Sequence, residues 1–126
     1  MNDDFVTYEL AVKLKKKGFD YPCIGHYFNN QLYIAHYHNA FHSDKDESVA
    51  APTISQVLKW LRKKKHIYVS ILPFATHSTI NKVAFYYLIE YNSTGQTMEG
   101  IEQNTYCAEW KDAALAGIEY VLDNLI

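Results

Sequence analysis

One nine-residue stretch constrains the fold more than any other part of this chain: Val83-Ala84-Phe85-Tyr86-Tyr87-Leu88-Ile89-Glu90-Tyr91. Its β-branched and aromatic residues favour extended backbone, and both of its alternating faces are apolar. Such a strand is central in its sheet and needs cover on each side. The rest of the chain therefore has to supply neighbouring strands and amphipathic helices.

Three helices answer that need. The first is expected over residues 7–17, with Thr7 as N-cap, Leu10, Ala11 and Leu14 on the buried side, and Lys15, Lys16 and Lys17 at the dipole's negative end. Gly18 follows as a residue able to turn left-handed, with Phe19 closing back on Leu14. A second helix starts at Pro52-Thr53-Ile54-Ser55-Gln56, where Thr53 and Gln56 have capping-box spacing, and runs to about Lys64. Its buried stripe is expected to be Ile54, Val57, Leu58 and Leu61, with Trp60 at the border. The third, about residues 109–125, places Trp110, Ala114, Gly117, Ile118, Val121, Leu122 and Leu125 on one side.

Short strands fill the intervals. Cys23 to Phe28 and Leu32 to His38 flank Asn29-Asn30-Gln31, and asparagine tolerates the positive φ of a tight hairpin turn. Residues 39–50 are polar and acidic and read as an exposed loop. His66 to Leu72 alternates as a strand, Pro73 to Asn81 reads as a loop, and Thr97 to Glu102 as a short edge strand. Hairpins without crossovers give an α+β fold: a mainly antiparallel sheet of four or five strands packed by three helices, in the order α-β-β-α-β-β(-β)-α. One domain spanning residues 1–126 is expected. Phe85, Ile89, Ile67, Val69, Leu58, Leu61, Ile118 and Val121 form its expected core.

Three of these stretches together carry a resemblance. They are Leu14-Lys15-Lys16-Lys17-Gly18-Phe19-Asp20 with Pro22-Cys23, Ala51-Pro52-Thr53 with Gln56-Val57 and Trp60-Leu61-Arg62, and Ala116-Gly117-Ile118 through Leu125-Ile126. In that combination the chain resembles a family of short proteins of gut Bacteroidetes genomes and their phages or mobile elements. The resemblance implies an accessory or interaction role and brings no cofactor or catalytic residue with it. The histidine-rich hairpin lies outside the shared pattern.

Charge excludes some functions and leaves others. The net charge of -2 gives no global attraction to nucleic acid or anionic lipid. Ten basic against seven acidic residues over 1–65 give +3, however, and two against seven over 66–126 give -5. Lys13, Lys15, Lys16 and Lys17, with Lys59, Arg62, Lys63, Lys64 and Lys65, hold nine of the twelve cations. Basic clusters that track phosphates and tyrosines that stack bases, Tyr33 and Tyr37 among them, would suit single-stranded nucleic acid. The plainer account is that lysines favour helix C-termini and tyrosines favour sheets.

A metal is the second alternative. His36 and His38 share a strand face about 7 Å apart, within reach of one zinc ion, with His26 and His42 as further ligands and Asp44 or Asp46 as oxygen donors. Their spacing matches no established zinc signature, so no cofactor is expected. Enzymatic motifs are missing: the sequence has no G-x-S-x-G, no phosphate-cradling glycine loop, no H-E-x-x-H and no C-x-x-C. Cys23 and Cys107 read as buried thiols, and nothing sets Glu99, Glu102 and Glu109 across a cleft. Tyr86, Tyr87, Tyr91, Trp60 and Trp110 exceed what one small face must bury, which favours a protein partner or self-association. With an acidic, polar start and no long apolar run, the expected site of action is the cytoplasm, away from membranes.

Overall fold

Thr7 accepts a hydrogen bond from the Leu10 N–H at 3.3 Å and opens α1, Tyr8–Lys16. Gly18, at φ 89°, ends the helix. Its N–H bonds to the Lys15 carbonyl at 3.2 Å, and the Phe19 N–H bonds to the Leu14 carbonyl at 3.0 Å. This is the paired left-handed stop expected at that glycine, and Phe19 and Leu14 are both buried beneath it. The structure, a computed structural model, describes residues 5–34, 48–75, 83–91, 99–103 and 106–126.

The chain is α+β, with three helices and two antiparallel three-stranded sheets among the described residues. In the first sheet β1 (Gly25–Phe28) is central, paired with β2 (Gln31–Ile34) and β3 (Val49–Ala51). Phe28 faces Gln31 across a two-residue turn in which Asn29 and Asn30 have φ of 50° and 68°. Both central residues of a tight hairpin turn need that conformation, and asparagine adopts it at small cost. β3 corrects the expected loop, because Val49 and Ala50 are buried and pair with Tyr27 and His26. They sit at the end of a polar segment and are too few to show a period. α1 packs against β3.

The capping box forms as spaced: the Thr53 N–H donates to Gln56 Oε1 at 3.0 Å, and the Gln56 N–H donates to Thr53 Oγ1 at 3.2 Å. α2 covers Ile54–Trp60, and a wider π-helical turn, Leu61–Lys65, follows it directly. Trp60 is fully buried with its ring edge-on to Phe19 at 5.3 Å, whereas Leu58 is only half-buried. The buried stripe thus steps by threes through Ile54, Val57 and Trp60 before Leu61. His66, at φ 56°, closes this helix left-handed, so the following strand begins one residue later than expected.

In the second sheet β5 (Val83–Tyr91) is central between β4 (Ile67–Ala75) and β6 (Glu99–Glu102). β4 runs through Pro73 into the expected loop. Proline is tolerated there because β4 is an edge strand and the ring nitrogen can face away from its neighbour. Among the described residues the strands form two sheets of three, where a single sheet of four or five was expected. α3, Trp110–Asn124, packs on β4 and β5 through Ala113, Ala114, Gly117, Ile118, Val121 and Leu122. Burying each of the larger aliphatic side chains contributes roughly 1.5–3 kcal/mol. Trp110, expected on that side, is 42% exposed at the helix start. Of the expected core, Ile67, Leu61, Ile89, Ile118 and Val121 are buried, while Val69, Leu58 and Phe85 are half-buried.

Two compact units result: Met1–Trp60 with Ile126, and Leu61–Leu125. Among the described residues, no helix is long and apolar enough to cross a membrane.

Candidate functional site

The second sheet has one closed face and one open face. On the closed face a methyl group at Gly117 would come within 3.0 Å of Val69 Cγ1 and 3.1 Å of Tyr87 Cβ, so glycine is what lets α3 lie this close. Alternation then puts Tyr68, Ser70 and Leu72 of β4 on the other face, opposite Glu90, Leu88 and Tyr86 of β5. Glu102 joins them from β6, across from Leu88. Of the helical elements of this unit, α3 packs on the closed face, and the π-helical turn Leu61–Lys65 touches β4 where it leads into that strand. Tyr68 is 43% exposed, and Leu72, Tyr86 and Leu88 are half-buried. Tyr106, 47% exposed, stands edge-on to Tyr86 at 5.6 Å and widens the aromatic surface. Glu90 and Glu102 are exposed beside Leu88, with no ion-pair partner among the described residues.

Gln103 fixes the β6 side of this sheet. Its N–H donates to the Tyr87 carbonyl at 3.0 Å, and its side-chain Oε1 accepts from the Tyr87 N–H at 3.1 Å. Further on, Phe85 and Cys107 exchange both main-chain bonds at 2.7 Å. Three steps along β5, from Leu88 to Phe85, thus match five along its partner, from Glu102 to Cys107.

No family model, curated protein or solved structure matches this chain. Function has to be argued from the geometry of its own residues.

The residues singled out from sequence fall in different places. Lys16, Lys59, Arg62, Lys63 and Lys64 are exposed, Lys15 is half-buried, and Lys17 Nζ donates to the Ile126 carbonyl at 2.6 Å. Tyr33 is 44% exposed and stacks on His26, its cross-strand partner, with ring centroids 5.6 Å apart. That register sets His26 on the face of Gln31 and Tyr33, opposite the face of Leu32 and Ile34. His36, Tyr37, His38, His42, Asp44 and Asp46 lie outside the described residues. Among the described residues no three metal-binding side chains come together.

The thiols differ. Cys23 is buried, donates to the Tyr21 carbonyl at 3.3 Å, and is pushed up to about 12 by that burial. It stays protonated at neutral pH and is no nucleophile. Cys107, expected to be buried, is half-buried, with Gln103 Nε2 3.7 Å from its sulfur. Glu102 is exposed in β6, and Glu109 is exposed at the start of α3 with no side-chain capping bond. Trp60 and Tyr87 are buried in the interior and leave Tyr86 and Trp110 at the surface. Tyr68, Leu72 and Leu88 were legible only as strand residues, because two apolar faces look alike until the helix covering one of them is located.

Proposed function

We propose that this chain is a non-enzymatic accessory domain of the cytoplasm that binds another protein on the open face of β4, β5 and β6. One observation carries the reading: Tyr68, Leu72, Tyr86, Leu88 and Tyr106 make an apolar and aromatic surface beside two carboxylates that have no cation partner among the described residues. The occupant that complements it is a protein segment bearing lysine or arginine. Tyrosine faces attract a cation, and Glu90 and Glu102 can pair with it once water is displaced. The protonated Cys23 thiol supports a role without covalent chemistry. The resemblance to phage and mobile-element proteins of Bacteroidetes supports an accessory one.

A photo-crosslinking residue at Leu88, compared with one at the exposed Glu119 of α3, tests this. The expected result is a discrete adduct from position 88 alone, mapped to a Lys- or Arg-containing segment of an identified protein, and lost when Glu90→Lys and Glu102→Lys are introduced. Equal capture from both positions overturns the reading. So does tight binding of single-stranded DNA at low salt that Lys63→Glu with Lys64→Glu abolishes, since the exposed basic turn would then be the working surface.

A further inference from the structure

The outer edge of β4 has a direction that can be read from its neighbours. Tyr87 and Phe85 turn their main-chain N–H and C=O toward Gln103 and Cys107, on the β6 side. Their partners across β4 are Ile71 and Pro73. In an antiparallel ladder a residue's N–H and C=O point the same way, and the direction alternates along the strand. Ile71 therefore turns its pair away from β5, and so do Ile67 and Val69. Pro73, which has no N–H to offer, falls in the same series, where its ring nitrogen faces outward. Among the described residues nothing bonds to these outward groups.

We infer that this edge pairs antiparallel with β4 of a second copy of the chain, about a twofold axis passing close to Ser70. This deepens the interaction reading by naming one partner, through a different surface from the open face. The occupant is argued from charge. Ile67-Tyr68-Val69-Ser70-Ile71 carries no charged side chain, although edges that stay single are usually guarded by one. Two copies therefore meet without like-charge repulsion and with strongly β-forming residues. The basic run Arg62–Lys65 lies just before the strand and selects the antiparallel sense. Parallel pairing would set the two runs side by side. Antiparallel pairing about Ser70 separates the two Ile67 residues, where the strands leave the basic runs, by about six strand steps, or ~20 Å. That is beyond the ~8 Å screening length of physiological salt. Pro73 marks the far end of the pairing, because it contributes an acceptor but no donor.

Amide hydrogen exchange and sedimentation equilibrium on the full chain test the inference together. Tyr68, Ser70 and Leu72 turn their amides toward β5 and are expected to be protected at every concentration. Val69 and Ile71 are expected to gain at least tenfold protection as the chain passes from monomer to dimer. Ser70→Lys sets two like charges near the axis and is expected to weaken the dimer at least tenfold without loss of secondary structure. Leu88→Lys, on the open face of the central strand, is expected to leave the dimer within twofold of the native chain. A monomer at all soluble concentrations, or Val69 and Ile71 amides whose exchange ignores concentration, overturns the inference. Should Leu88→Lys dissolve the dimer while Ser70→Lys spares it, copies meet through the open face, and the edge pairing falls while the interaction reading stands.

Discussion

At Gln103 a side-chain amide stands where a strand would place a backbone carbonyl. The Tyr87 N–H donates to Gln103 Oε1, where a regular ladder would offer a main-chain carbonyl. Tyr87 is buried beneath α3, so its N–H has no ready access to water. Removing the acceptor exposes the cost of an unpaired buried donor, about 1–3 kcal/mol. Gln103→Leu, which keeps the bulk, is expected to lower unfolding free energy in urea by that amount. Gln103→Glu keeps an acceptor oxygen in reach and is expected to stay within about 1 kcal/mol of the native chain. Equal stability of the leucine variant would show that the bond is not needed. No period or motif in the sequence marks this residue, because its role arises only from a mismatch of strand lengths.

Helix ends show where local chemistry was legible and where it was not. The Gly18 stop, the Asn29-Asn30 turn and the Thr53–Gln56 box each depend on residues within five positions of one another, so the sequence displays them whole. β3 was hidden because Val49-Ala50-Ala51 acquires meaning only by pairing with β1, more than twenty residues earlier. The open face was hidden for a similar reason: β5 is apolar on both sides, and only the placement of α3 decides which side is left. The second helix end was illegible because His66 takes the conformation usually given to glycine. A non-glycine residue there is strained by roughly 1–3 kcal/mol. Glycine removes that strain, and its greater freedom when unfolded costs back about 0.5–1 kcal/mol. His66→Gly is therefore expected to stabilise the chain by about 0.5–2 kcal/mol in thermal or urea unfolding. A loss of stability would mean that the imidazole makes a contribution of its own.

Across the whole molecule, charge sorts differently by unit than by sequence half. The boundary falls before Arg62–Lys65, so Met1–Trp60 and Leu61–Leu125 each carry six basic and seven acidic residues. The asymmetry of the halves cancels, and neither unit is a polycation. What the units share instead is a set of weak acids held neutral. Cys23 and Tyr27 in the first unit and Tyr87 in the second are all raised, chiefly by burial, with Glu9 adding to Tyr27 and Tyr120 to Tyr87. The Tyr27 hydroxyl also donates to the Val6 carbonyl at 2.6 Å, a bond its ionised form cannot make. A raised acid is easier to ionise when unfolded. The stability tied to Cys23 is thus fully present below its ordinary 9.0 and is lost as pH rises through about 12. That of the tyrosines is present below 10.0 and is lost above it. Unfolding free energy is expected to hold level with respect to these groups from pH 7 to 8.5. Above 9 it falls, with Cys23 contributing at most about 1.4 kcal/mol per pH unit. Cys23→Ala separates the causes: it is expected to reduce the slope between pH 9 and 10, where the tyrosines contribute the smaller part, and to leave the tyrosine loss above 10 in place. An unchanged slope in that variant would mean that the buried thiol ionises in the folded chain as readily as in the unfolded one.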